Sequence, residues 1–298
     1  MAMELRDIEI FLTLAEELHF GRTAARLHVS QARVSQAISQ QERRLGAVLF
    51  DRSNRRQVLL TPVGRQLRND LRPIYAGLRD SLERARLAAR GIDAVLRVGM
   101  LSINAHDLRP YWDTFRSRHP QWGLQVRYAS FVDPFAGLRR GDIDVLVAWL
   151  PVEEPDLTVG PVLFAEPRVL TVAAGHELTR HTTVSLEMLG DFLHSDIEAP
   201  QYWRDGYVPS HTRKGRAIER GPLVHNTEQL FALISTGEIV NLCSDHMLRY
   251  GTRPDIAYLP VQDMDALPYA AVWRTSTEND LIRAFDQTVR DVGPGAHR

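Results

Sequence analysis

The residues best placed to do chemistry lie between positions 31 and 43. Read at about 100° per residue, a helix over 31–45 turns Val34, Ile38 and Leu45 inward, at i, i+4 and i+11. Ala32, Gln36, Ser39 and Arg43 then point outward, with Gln31 and Arg33 at the exposed N-terminal end. That outer face is short-chained and polar, and a helix of this kind fits the major groove of DNA. There Gln can pair with adenine, Arg with guanine, and an Ala methyl can rest on a thymine methyl. Further on, Val48-Leu49-Phe50 and Val58-Leu59-Leu60 flank a polar tip. This reads as a hairpin wing in which Arg52, Arg55 and Arg56 could reach phosphates or the minor groove.

The elements that must position these groups follow from the pattern. Residues 4–18 form a helix whose stripe of Leu5, Ile8, Phe11, Leu12 and Ala15 supports the others, and His19 lies in the connection after it. A short helix over about 22–27 is kept slim by Ala24 and Ala25 and is broken at His28-Val29-Ser30. Ser30 is a natural N-cap for the second helix, and Gly46 ends that helix. Thr61 and Pro62 start a long helix with Leu67, Leu71, Ile74, Leu78, Leu82 and Ala85 at intervals of four and three. This stripe is too long for one small domain to bury, so it is expected to pair with a second copy. Pro73 should bend the helix, and Gly91 ends it.

Residues 20–64 resemble the LysR-type transcriptional regulators. The resemblance rests on Phe20, Ala24, Ala25, Leu27, Ser30, Gln31, Val34, Ser35 and Ile38, then Leu45, Gly46, Leu49, Phe50, Arg52, Leu60, Thr61 and Gly64. It implies a winged helix-turn-helix that binds double-stranded DNA, adding Ser35 to the reading face, and a dimerising linker helix. Three positions depart from the family pattern. Ala32 and Arg33 stand where Pro and Ala are usual, which bears on base preference. Gln41 stands where Leu is usual before Glu42, which weakens one core contact.

Charge is divided in the same sense. The chain of 298 residues has a net charge of −1, yet residues 1–90 hold 16 Arg against 10 acids. A basic head joined to an acidic remainder suits a DNA-binding module with a second domain. The charged N-terminus is unlike a signal peptide, and no apolar run reaches 18 residues, so a cytoplasmic protein without membrane spans is expected. The single cysteine, Cys243, excludes an internal disulfide and a Cys-rich metal site.

From Val95 onward, strands alternate with helices. Strands are expected at 95–100, 124–128, 143–149, 168–173, 192–196, 223–225, 239–242 and 269–273. Helices are expected at 110–117, after a cap at Asp133-Pro134, and at 185–189, 227–236, 245–250 and 278–292. Such alternation points to a mostly parallel sheet covered by helices. LRVG at 96–99, GDIDVLVA at 141–148, PVLF at 161–164 and STGEIVNL at 235–242 resemble the effector domain of the same family. That resemblance implies two α/β lobes like those of periplasmic binding proteins. The expected organisation is thus a winged helix-turn-helix over 1–60, a linker helix over 61–90 and an effector-binding domain over 91–298. Lobe I takes about 91–162 and 267–298, and lobe II about 163–266.

Ligands of open α/β sheets sit off the carboxyl ends of the strands. The residues there are Ser102, Ile103, Asn104, Phe131, Asp133 and Trp149 in the first lobe, and Gln201, Tyr202, Trp203, Thr227 and Glu228 in the second. Hydroxyls and free N–H groups could hold a carboxylate while the aromatic side chains pack an apolar body, so a small organic effector is expected between the lobes. Trp149 and Phe131 could equally be core.

An enzyme is not expected. The chain has no H-E-x-x-H, C-x-x-C or Walker A run, and Ser35, Ser102 and Ser244 lack a G-x-S-x-G elbow. His176 and His181 lie near Glu177, and His194 alternates with Asp196, but neither set reaches a metal-ligand count. His176-Glu177-Leu178 falls where the family shows a turn. No cofactor or metal is implied. The expected partners are DNA, an effector, further copies of the chain as dimer or tetramer, and RNA polymerase if transcription is activated. The competing expectation is a constitutive, architectural DNA-binding protein whose second domain only oligomerises.

Overall fold

Helix starts and stops account for the first elements. The computed structural model describes residues 4–52, 58–89, 91–101 and 104–295, and divides into units of residues 1–90 and 91–298. In the first unit α1 (Leu5–Glu17), α2 (Phe20–Arg26) and α3 (Gln31–Leu45) pack around Phe11, Leu14, Val34, Ile38 and Phe50. His19 is not a free loop residue. Its Nδ1 accepts from the N–H groups of Gly21 and Arg22, both at 3.1 Å, and this cap starts α2 two residues earlier than expected. Ser30 accepts from Arg33 N at 3.2 Å, and Gly46 closes α3 at φ 67°.

Two expected inward positions are in fact outside. Leu5 is 54% and Leu45 45% exposed. The buried side of α1 includes Ile10 and Leu14 and that of α3 Ala37 and Gln41, and Leu45 stands beyond it where the chain turns away at Gly46. Gln41 is fully buried, and its amide donates to Asp7 O at 2.9 Å. A hydrogen bond between α3 and α1 thus replaces the apolar contact.

The wing is two short antiparallel strands, β1 (Phe50–Asp51) and β2 (Leu59–Leu60), with Phe50 opposite Leu60. Residues 53–57, with Arg55 and Arg56, lie outside the described residues. Glu42 anchors the base by accepting from Leu49 N at 2.9 Å and Phe50 N at 3.2 Å. Helix α4 (Pro62–Ala88) follows, capped by Thr61, whose hydroxyl accepts from Gly64 N at 3.0 Å. A Cβ on Gly64 would stand 2.1 Å from Leu49 O, so only glycine lets α4 pass so close to the wing. Leu67, Leu71 and Tyr75 of α4 pack on the core of the unit, while Ile74 and Leu82 are 68% and 51% exposed.

The second unit contains β3 (Ala94–Met100), α5 (Arg109–Arg118), β4 (Trp122–Tyr128), α6 (Ala136–Arg140), β5 (Val145–Trp149) and β6 (Leu157–Glu166). It continues through β7 (Arg168–Ala173), α7 (Leu186–Leu189), β8 (His194–Asp196), α8 (Gln201–Tyr207), β9 (Arg220–Leu223), α9 (Thr227–Ser235) and β10 (Asn241–Ser244). It closes with α10 (His246–Tyr250), β11 (Ile256–Pro260), β12 (Leu267–Arg274) and α11 (Asp280–Val292).

The larger sheet has the order β4-β3-β5-β12-β6. It is mixed, not mostly parallel as expected. Strand β3 runs parallel to β4 and β5, but β12 is antiparallel to β5 and β6, because the C-terminal strand returns from the far side of the fold. The smaller sheet, β10-β7-β11, is wholly antiparallel, and β8 and β9 pair beside it. The chain passes from the larger sheet to the smaller at Pro167 and returns between β11 and β12.

Three elements were not expected: β6, α8 and β11. Asp133 does not cap α6, whose N-cap is Phe135. Instead it sits at φ 48° and donates its N–H to Glu198 O at 3.0 Å. No helix among the described residues is long and apolar enough to cross a membrane.

Candidate nucleic-acid interface and ligand cavity

The outer side of α3 brings most of the expected polar groups to one surface. Gln31, Ala32, Gln36 and Arg43 are exposed, while Arg33, Ser35 and Ser39 are partly covered. Two of the arginines are tied down. Arg33 Nη2 reaches the buried carboxylate of Asp7 at 3.3 Å, which draws it toward α1. Arg52 donates to Glu42 at 2.9 Å and lies 5.1 Å from the centroid of the Phe20 ring. Among the described residues Arg43 bonds only the carbonyl of Ser39, at 3.3 Å, and its guanidinium can swing to an acceptor such as a phosphate. The face therefore offers Gln31 at the start of α3, Gln36 further along it and Arg43 in its last turn as its reaching groups.

In the second unit a cavity of about 110 Å³ opens between the two sheets. The strand ends of the larger sheet supply Leu101, Phe131, Trp149 and Tyr269. The other side supplies Ser195, Asp196 and Ile197 of the β8 region, Arg204 and Tyr207 of α8 with Val208 just after it, and Arg220 of β9. Val224, then Thr227 and Leu230 of α9, Asn241 and Cys243 of β10, and His246 and Met247 of α10 complete the wall.

Of the expected ligand residues, Phe131, Trp149 and Thr227 meet here. Ser102 and Ile103 lie outside the described residues. Asn104 is fully buried, with its amide 3.4 Å from Glu166. Gln201 and Glu228 are exposed and Tyr202 donates to Glu154 at 2.7 Å, all away from the cavity. Trp203 is core. It is 0% exposed and stacks on Trp149 at 3.6 Å, and each indole N–H donates to the other residue's carbonyl at 3.2 Å. A side chain enclosed on all sides cannot meet a ligand. Trp149, at 5% exposure, combines this packing with a place in the cavity wall.

Most of the polar lining is already paired. Arg204 Nη1 donates to both oxygens of Asp196, at 2.7 and 2.8 Å, and Arg220 donates to Asp205 at 2.5 Å. Ser195 donates to Asn241 Oδ1 at 2.8 Å. His246 Nδ1 meets the buried Glu166 carboxylate at 2.5 Å. Burial pushes the Cys243 thiol and the Tyr207 and Tyr269 phenols up, so none of them ionises near neutral pH. Near the wall His194 is buried neutral, its imidazole pushed down to about 4 by desolvation. Arg204, Arg220, Ser195, Asn241 and His246 were not foreseen. They come from three segments more than 40 positions from the first strand end, and no local spacing marks them. Among the described residues no cluster of His, Cys, Asp or Glu could hold a metal ion.

Residues 5–65 match the family described as "Bacterial regulatory helix-turn-helix protein, lysR family", and residues 89–294 match "LysR substrate binding domain". The chain belongs to the LysR family of transcriptional regulators. This LysR-family member is 36% identical over 192 residues to the uncharacterized HTH-type transcriptional regulator YnfL of Escherichia coli (strain K12). That match covers 63% of the chain and 64% of YnfL, so the chain spans a little under two thirds of that relative's length. It is 28% identical to the HTH-type transcriptional regulator TdfR of Cupriavidus pinatubonensis (strain JMP 134 / LMG 1197), over 97% of the chain and 98% of TdfR. In fold it resembles CbnR, a LysR family transcriptional regulator, with a TM-score of 0.62 at 22% identity, covering 97% of this chain and 99% of CbnR. A second structure, of full-length CbnR complexed with its target DNA, gives a TM-score of 0.59 at 23% identity over 98% and 100% of the two chains.

Proposed function

We propose that the chain is a sequence-specific DNA-binding regulator whose activity is set by a small molecule held in the cavity between the two sheets. Residues 1–60 are the DNA-binding head, 61–90 the linker helix and 91–298 the sensing domain. The observation that carries the DNA half is the exposed, short-chained outer face of α3, with Gln31, Gln36 and Arg43 extended and the helix start capped by Ser30. Gln36 and Gln31 read base edges, Ala32 and Ser35 lie against them, and Ser39 and Arg43 meet the backbone. Arg33 and Arg52 act mainly by positioning the head, and Arg55 and Arg56 take phosphates from the wing. Ile74 and Leu82 of α4 supply the surface for a second copy, so that two heads read two half-sites.

For the sensing half, the support is a partly open, largely apolar cavity with a few converging polar groups. Phe131, Trp149 and Thr227 contact the effector there. Its binding shifts the lobes, and thereby the paired heads, only as far as it prefers one arrangement. The protein catalyses no reaction of its own, works in the cytoplasm, and touches RNA polymerase where it activates.

The test is selection of bound sequences from a random duplex pool, at one stated salt, with the purified full-length protein. An interrupted palindrome with half-sites about one turn or more apart is the expected result. Binding without an enriched motif, fading only with salt, would favour a constitutive architectural protein instead.

A further inference from the structure

We infer that the second unit is a rigid frame with one movable wall, helix α9, and that occupancy of the cavity is relayed by displacement of α9 and not by the two sheets swinging apart. This rests on the reading of the cavity as the sensing site and narrows the shift to one helix. The frame is tied at two regions besides the chain crossings. The first is α8, which has one end in each core. Trp203 belongs to the core of the larger sheet, stacked on Trp149 at 3.6 Å and edge-on to Phe135 at 5.7 Å. Val208, just past the end of α8, belongs to the core of the smaller sheet. The second region runs from the end of β10 through α10. The hydroxyls of Ser244 and Tyr269, both buried, lie 2.7 Å apart, and His246 meets the buried Glu166 of β6 at 2.5 Å. Arg249 and Tyr250 donate to Asp107 at 2.9 and 2.6 Å. A swing about the crossings would have to draw Trp203 out of a close-packed core and break these buried bonds together.

Helix α9 is held differently. It lines the cavity with Thr227 and Leu230. Among the described residues its hydrogen bonds stay within residues 223–238. Gln229 bonds back to Leu223, His225 and Asn226, and Thr236 closes the other end on Ala232 and Leu233. Its buried side, Phe231 and Ile234, packs with Val169, Cys243, Met247 and Ile256 in a small apolar cluster apart from the core of the larger sheet. The chain is pinned on either side of α9, where Val224 N donates to Asp196 O and Val240 N to Leu193 O, both at 2.9 Å. Between those pins Gly237 makes the exit turn at φ 77°. Apolar contact has no preferred direction, so α9 can slide on its cluster without breaking a hydrogen bond to the frame. A molecule lying between Trp149 on the frame and Thr227 on α9 therefore meets one fixed wall and one that gives.

The test is amide hydrogen exchange of the purified full-length protein, read by segment in rising, sub-denaturing urea. Residues 227–238 are expected to exchange ~100-fold or more faster than residues 203–208 and 241–247, through a local opening that urea barely affects. The latter two segments should share one steep urea dependence, that of unfolding of the whole unit. Equal protection and equal urea dependence in α9 and α8 would mean that α9 does not move, and would overturn the proposal. Residues 203–208 opening locally would mean that the sheets are not clasped, and would overturn it too. These measurements on the parent decide the matter whether or not a variant folds. Leu230→Trp, which crowds the cavity from α9, separates the proposal from the sensing reading. It is expected to speed exchange in α9 by a further ~tenfold, to leave 203–208 unchanged and to alter affinity for the selected duplex. Faster exchange in α9 with unchanged duplex affinity would keep the movable wall and overturn the cavity as the sensing site. Faster exchange in 203–208 in place of α9 would mean that crowding parts the sheets, and would overturn the movable wall.

Discussion

The face of α3 and the cavity of the second unit hold their polar groups in opposite ways. On α3, Gln31, Gln36 and Arg43 are exposed and carry at most one local bond, so a partner adds contacts to groups that water already satisfies. In the cavity, Asp196, Arg204, Ser195, Asn241 and His246 are already bonded to one another or to the wall behind them. A ligand that engages these groups must exchange existing bonds. The difference suits two tasks. Groove reading needs reach and a fixed backbone, whereas a sensor needs a ligand whose binding energy differs between two arrangements of the wall.

The contrast is sharpest in the stability of the two surfaces. Trp203→Ala removes a fully buried indole behind the cavity and should cost ~3–5 kcal/mol in urea unfolding. A loss below ~1 kcal/mol would detach the Trp149–Trp203 stack from the core. His194 makes the cavity side pH-sensitive. Its folded value of about 4 lies below its ordinary 6.5, so the unfolded chain takes the proton first. The stability it contributes is full above pH 6.5 and is lost as pH falls from 6.5 to 4, up to roughly 3 kcal/mol. Unfolding at pH 7 and pH 4.5 should differ less in His194→Leu than in the parent, and an equal difference would assign the acid sensitivity elsewhere.

On the α3 side the effects are smaller and fall on recognition. Gln36→Ala should cost ~1–3 kcal/mol at one base position in a binding selection. An unchanged preference would remove Gln36 from the readout. Ser30→Ala deletes the cap on Arg33 N and should lower the stability of the first unit by ~1 kcal/mol, read from its thermal unfolding. Arg43→Ala should weaken binding to every sequence and reduce the logarithmic salt slope by about 1. A slope equal to the parent's would mean that Arg43 meets no phosphate.

Legibility in the sequence followed the range of the contacts. The first unit is built from near neighbours: Ser30 caps residue 33, Thr61 caps residue 64, and Gly46 stops the helix before it. Those signals are local, so α3 and its polar face could be read directly. Even here, Arg33 and Arg52 were read as free because the partners that restrain them, Asp7 and Glu42, sit 26 and 10 positions away. In the second unit β6 was missed because Gly160 and Pro161 interrupt its pattern and its pairing with β12 shifts register there. Helix α8 was read as a loop because its seven residues contain one core side chain, Trp203, whose partner is Trp149 on a distant strand. The arginines of the cavity gave no signal, since a guanidinium is marked as special only by burial and missing partners, and neither is visible before the chain folds.

The affinity of the purified full-length protein for its selected duplex, set against a scrambled duplex of the same length and salt, tests the central claim most directly. A sequence-reading α3 predicts a preference of about 10³ or more. Affinities within a few-fold of each other, with equal salt slopes, would mean that only phosphates are recognised and would contradict it.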